Sequence, residues 1–227
     1  MAVIEQTSDA EAPAWVAFLD VYGFAARLKE KRPLTELAKT LRAMQNASER
    51  EADFAATRTY FFSDSIILVQ YVSGDSRGAL AKLETLVRKL SSEALKNSLI
   101  IRGAFGYGSM VTEDNICIGL PLLQAYELEQ QLYLPFVVIP ETACQEADIL
   151  SLNMKFRDVP TKQGLLSAMA ILPAPNQSLV KYAAEKYQET RIVGPHSVAK
   201  VWRDLIDYVE RIDEQRHENE RPKDNNK

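Results

Sequence analysis

Cysteine is almost missing, with two in 227 residues, Cys117 and Cys144. Two lone thiols in apolar surroundings make no disulfide framework. They read as small core residues in a protein of the reducing cytoplasm. No apolar run approaches the roughly 20 residues a membrane helix needs. The opening stretch MAVIEQTSDAEAPA has neither a basic end nor an apolar segment, so no signal peptide or membrane association is expected. Basic charge is not in excess: 27 Lys and Arg stand against 31 Asp and Glu, a net charge of −4, which argues against a nucleic-acid binder with a basic face. Histidine is down to His196 and His217, both late in the chain and remote from every motif below, and neither is given a catalytic role. Apolar residues, by contrast, make up 46% of the chain, enough for a sizeable core.

Residues 1–12 are small and polar and read as a loose arm. Residues 15–21, WVAFLDV, form an apolar run of strand length interrupted by Asp20. Gly23 and Phe24 open a helical stretch with Leu28, Leu34, Leu37, Leu41 and Met44 on its apolar side and a bend at Pro33. Residues 57–72 hold two β-rich runs around the turn Ser63-Asp64-Ser65, a hairpin pattern. Over 75–98, Leu80, Leu83, Val87, Leu90 and Ala94 recur at helical spacing. A glycine-rich strand at 98–111, a short strand at 115–118, a helix over 120–131 and the strand PFVVIP follow. Further strands are expected at 154–159 and 165–172. Pro173 and Pro175 mark a boundary, helices follow at 178–190 and 197–215, and the charged tail 216–227 reads as disordered. This order predicts an α+β domain over 13–175, a mainly antiparallel sheet with helices packed on one face, and a helical extension over 176–215.

Two acids have conspicuously apolar neighbours. Asp20 ends the first strand and Asp64 sits in the hairpin turn. If that strand lies beside the hairpin, the carboxylates meet at one sheet edge, and close like charges call for protons or cations. Carboxylate and phosphate oxygens are what Mg²⁺ prefers. A turn residue and a helix cap are the ordinary alternatives for two such acids.

FLDVYGF (18–24), YFFSDSI (60–66), RGAFGYG (102–108) and GLPLLQAYELE (119–129) stand in the order and spacing of the class III nucleotidyl cyclases, and the chain resembles that family over 15–172. The resemblance implies a ferredoxin-like, palm-type sheet, with Asp20 and Asp64 as ligands of two divalent cations, Mn²⁺ or Mg²⁺. It implies that the Val21 carbonyl serves a cation and that Tyr22, Gly23 and Phe24 offer backbone N–H groups to a triphosphate at a helix N-terminus. Arg102 matches a phosphate-contacting arginine, and Lys162, in VPTKQG, a triphosphate lysine. Sites in this family form between two chains, which implies a homodimer with composite active sites.

The departures point to one branch. Tyr60 stands where purine cyclases place a base-reading lysine, and Ile116, beside Asn115, replaces their second polar reader. Leu123 and Glu127 replace the Asn and Arg that steady the transition state, and Arg58, two residues from Tyr60 on the same strand face, is a spare cation. The short chain, Tyr60 and the AYELE helix resemble the pyrimidine cyclases of bacterial Pycsar antiphage systems. That resemblance implies conversion of UTP, or else CTP, to cUMP or cCMP, which then activates a separate effector. A purine cyclase with altered contacts and a catalytically silent cyclase-like module are the alternatives.

Overall fold

The structure, a computed structural model, describes residues 11–24, 28, 35, 38–39, 42–43, 45–46, 57–151, 154–173, 176–193 and 196–220. The chain forms two compact units, Met1–Pro173 and Ala174–Lys227.

In the first unit the described elements run β1 (Ala12–Val21), β2 (Thr57–Phe62), β3 (Ser65–Tyr71), α1 (Ser76–Lys96), β4 (Ile101–Glu113), β5 (Ile116–Ile118), α2 (Leu120–Gln131), β6 (Val137–Pro140), α3 (Glu141–Glu146), β7 (Arg157–Thr161) and β8 (Gly164–Ile171). Seven strands lie in the order β2-β3-β1-β4-β6-β8-β7, and β5 pairs with β4 outside that path. Every pairing is antiparallel except β4 with β6. That parallel pair makes the sheet mixed, and its cause is α2. Two neighbouring strands can run the same way only if a crossover carries the chain back, and α2 is the helix of that crossover.

The alternation of β1 sorts the layers. Trp15, Ala17, Leu19 and Val21 face a core shared with Leu83, Val87 and Leu90 of α1 and with Ala143 and Cys144 of α3. The Trp15 indole N–H donates to the Ser76 carbonyl at 3.1 Å, tying the helix start to the first strand. Asp75 caps that start by accepting from the Gly78 N–H at 2.9 Å. The other residues of β1 look the opposite way, where Ala14 and Val16 join Val69 and Met110 in a smaller cluster. α2 crosses this second face, with Phe18 edge-on to Tyr126 at 5.3 Å between ring centroids. Helices therefore lie on both faces of the sheet rather than one. The approach of α2 depends on Gly106, where a Cβ would collide with the Pro121 carbonyl.

The second unit is a pair of helices, α4 (Asn176–Val193) and α5 (His196–Glu220). Leu179, Ala183, Ala199, Trp202, Leu205 and Val209 are buried, and Tyr182 meets Trp202 edge-on at 5.9 Å.

Several boundaries differ from the sequence expectations. β1 begins at Ala12, inside the expected arm, and residues 1–10 lie outside the described residues. α5 continues to Glu220, so 216–220, expected to be disordered, are helical, while 221–227 lie outside the described residues. Leu28 is helical but exposed, and Pro33, Leu34, Leu37, Leu41 and Met44 lie outside the described residues. The six-residue α3 was not anticipated. Both cysteines are free thiols, and burial pushes each up to about 11, as inert packing residues require. Among the described residues no helix is long and apolar enough to cross a membrane.

Candidate active site

Asp20 is the second-last residue of β1 and lies between Ser65 of β3 and Arg102 of β4 on the second face of the sheet. Asp64 lies in the tight turn joining β2 to β3, next to Ser63, whose φ of 56° gives the turn its left-handed bend. The Asp64 carbonyl accepts the Val21 N–H at 3.1 Å, which staples the turn to the end of β1. Strand order thus brings the two acids to one sheet edge. Asp20 registers the crowding. Its carboxyl is pushed from 3.8 up to about 6 by burial first, then by the charges of Glu129 and Asp64, with Arg102 opposing.

Arg102 is held on the other side. Its Nε donates to Oε1 of Glu129 at 2.5 Å, its Nη2 pairs with the same oxygen, and Nη2 stands 3.8 Å from Oδ2 of Asp20. The guanidinium also lies over the Tyr22 ring, 5.5 Å from its centroid. Lys162 reaches the same neighbourhood from the β7–β8 turn. Its Nζ donates to the Gln130 carbonyl at 2.7 Å and its backbone N–H to the Gln131 carbonyl at 2.8 Å. Both basic residues singled out in the sequence therefore meet at the C-terminal turn of α2.

The backbone cradle differs in one position from the expectation. The Tyr22 N–H, expected to face a triphosphate, donates to the Ile100 carbonyl at 2.8 Å and is spent within the fold. Gly23, with φ of +76° and open space around it, and Phe24, which begins a helix, remain for that role.

The specificity positions lie further along the second face. Tyr60 is half-buried against the Val16–Val69 cluster, and its hydroxyl is buried with no hydrogen-bond partner among the described residues. Ile116, Leu123 and Glu127 are exposed. Arg58, the spare cation, donates through Nη1 to the Thr112 carbonyl at 3.1 Å, near the opposite end of β4 from Arg102. The sequence reading passed over Glu129, which is fully buried. A signal for it existed, because Pro121, Ala125 and Glu129 recur every four residues and form the buried stripe of α2.

Among the described residues no three His, Cys, Asp or Glu side chains gather as a metal cluster. The available donors at the sheet edge are oxygens, the carboxylates of Asp20 and Asp64 and the Val21 carbonyl. That set fits a hard divalent cation whose remaining ligands come from phosphate and water.

No family model and no curated protein matches this chain in sequence. Solved structures do match in shape. The non-canonical dimeric guanylyl cyclase domain of the RhoGC fusion protein from the aquatic fungus Blastocladiella emersonii aligns with a TM-score of 0.55 at 12% identity, covering 71% of this chain and 94% of that one. The chain has the fold of the class III nucleotidyl cyclase domains. The guanylate cyclase domain from Catenaria anguillulae, solved with GTP, gives 0.54 at 13% over 71% of this chain and 99% of its own. The adenylyl cyclase CyaB from P. aeruginosa gives 0.50 at 15% over 73% and 96%. Identities this low carry the fold and no residue role.

Proposed function

We propose that the protein is a nucleotidyl cyclase that converts a nucleoside triphosphate to a 3′,5′-cyclic nucleotide and pyrophosphate. The observation that carries this reading is the meeting of Asp20 and Asp64 at the edge of a cyclase-fold sheet, joined by the Val21–Asp64 hydrogen bond. Divalent cations, Mn²⁺ or Mg²⁺, held there by Asp20, Asp64 and the Val21 carbonyl, would acidify the ribose 3′ hydroxyl and neutralise the leaving pyrophosphate. Arg102 and Lys162 supply positive charge to the triphosphate oxygens, and Gly23 and Phe24 offer N–H groups at a helix start. These groups orient the 3′ oxygen in line with the α-phosphorus, and no covalent enzyme intermediate is required.

The site is completed by a second copy of the chain, with Tyr60 reading the base bound by its partner. Ile116, Ile118, Leu120, Leu123 and Tyr126, on β5 and α2, are all exposed, Ile118 at 64%, and exposed apolar side chains of this kind favour association. One structural neighbour is described as a non-canonical dimeric guanylyl cyclase domain, and the domain of the same fusion protein is also described as monomeric.

For the base we infer a pyrimidine, UTP ahead of CTP. The Tyr60 hydroxyl can both donate and accept, it has no partner among the described residues, and the ring would have to turn outward to present it to a base. Ile116 cannot pair with a purine's exocyclic group. By its resemblance to the Pycsar cyclases, the product would activate a separate effector in antiphage defence. A purine cyclase is the second reading, favoured by neighbours described with GTP and with ATPαS. A silent module is the third, favoured by Leu123 and Glu127. Incubation of purified protein with each of four NTPs and Mn²⁺, with products resolved by chromatography, separates them. cUMP as the main product is the expected result, cAMP or cGMP as the main product overturns the pyrimidine assignment, and no cyclic product overturns the cyclase.

A further inference from the structure

Glu129 is a carboxylate in a place where physics favours a leucine. It lies on the buried stripe of α2 with none of its surface exposed. A buried charge is expensive unless fully paired, and an apolar residue of similar volume usually serves stability as well or better. Glu129 is fully paired. Oε1 takes both Nε and Nη2 of Arg102, and Oε2 accepts from the Gln130 side chain at 2.6 Å.

The partner it has taken is the significant point. Arg102 stands directly opposite Asp20 on the neighbouring strand, on the same sheet face. An arginine so placed ordinarily closes on the carboxylate in a short, charge-assisted pair. Here Nη2 stops 3.8 Å from Oδ2 of Asp20 while its short contacts go to Glu129. A carboxylate closed in a two-toothed pair with arginine has spent its lone pairs and its charge, and it makes a poor cation ligand.

We propose that Glu129 is a positioning residue that draws the Arg102 guanidinium away from Asp20 and keeps that carboxylate open for a divalent cation. The inference rests on Asp20 being a cation ligand, as under the proposed function. Neighbouring Gln130 extends the arrangement, because its side chain steadies Glu129 while its carbonyl takes Lys162. One helix turn therefore sets both basic groups before any nucleotide arrives.

The test is Mn²⁺ binding to the nucleotide-free protein, followed by electron paramagnetic resonance, so that no turnover is needed. Glu129→Gln keeps the shape and one acceptor oxygen but removes the pull on Arg102. It should weaken Mn²⁺ binding by about tenfold or more, the equivalent of one charge-assisted hydrogen bond gained by Asp20. Glu129→Gln combined with Arg102→Gln should restore binding to near the wild-type level, because nothing remains to close on Asp20. A purely structural role predicts no such rescue. If Glu129→Gln does not fold by circular dichroism, Glu129→Asp replaces it, drawing the carboxylate back by one methylene, with a smaller loss in the same direction expected. Wild-type binding that Asp20→Asn abolishes and Glu129→Gln (or Glu129→Asp in its place) leaves unchanged overturns this inference alone. Wild-type binding indifferent to Asp20→Asn, or absent altogether, overturns the cation-ligand reading and this inference with it.

Discussion

Asp20 carries a conflict between stability and use. Its carboxyl titrates at about 6 in the folded chain against 3.8 without the fold, so the native state holds the proton more tightly. The stability this confers is complete below pH 3.8 and is lost as the pH rises through about 6. Metal-free Asp20→Asn is therefore expected to melt above the wild type at pH 8, by about 1–2 kcal/mol once solvent screening is allowed for, and level with it near pH 4. Mn²⁺ should raise the melting temperature of the wild type at pH 8 and leave Asp20→Asn unmoved. The same substitution should abolish cyclic nucleotide formation. Differential scanning fluorimetry across pH, paired with product chromatography, checks both halves, and a variant that melts lower at pH 8 would contradict the charge-crowding account. Tyr60 makes a separate prediction. Tyr60→Phe keeps the ring that packs on Val16 and Val69 but deletes the unpartnered hydroxyl, so kcat/KM for UTP should fall about ten- to a hundredfold with little change in stability.

At the scale of elements, α2 decides how well the site is assembled, because its two ends do different work. Its first turn lies on β4 at Gly106, and its last turn holds Arg102 and Lys162. Gly106→Ala would set a methyl against the Pro121 carbonyl and lever the helix outward. It should destabilise the fold by about 1–3 kcal/mol and lower kcat/KM, although the residue touches no proposed ligand of the substrate. Normal turnover in a variant with a lowered melting temperature would separate helix seating from site geometry. The elements themselves were largely legible. An apolar run broken by a single acid gave β1, two β-rich runs around a polar turn gave the β2–β3 hairpin, and helical spacing gave α1. α3 was missed because six residues are too few to show a period. The parallel β4–β6 pair is a product of where α2 crosses, which no local pattern records. Asp20 and Asp64 could be picked out by type and setting, whereas Arg102 and Lys162 came only from the resemblance to the cyclase family. Glu129 was passed over because ELEQQ reads as a solvated helix end, and its four-residue spacing from Pro121 and Ala125 gains meaning only once the position of the sheet is known. The engagement of the Tyr22 N–H by Ile100 likewise belongs to the tertiary structure.

At the scale of the whole molecule, the exposed apolar side chains of β5 and α2, Ile118 and Leu123 among them, are proposed to be covered by a second copy. Leu123→Asp should then shift the protein to a monomer in sedimentation equilibrium and remove activity while leaving the fold intact. Mixing Asp64→Ala with Tyr60→Ala chains should restore activity at one of the two sites of each heterodimer, since the other collects both defects. Heterodimers that form and stay inactive, from parents each inactive alone, would mean that the sites are not shared. A catalyst divided in this way has a consequence for its cell. Below the dissociation constant of the pair, output follows the square of the protein's abundance, so halving the copy number quarters the signal. A few stray molecules stay silent and a modest rise in expression is amplified, which makes abundance itself a threshold for the message.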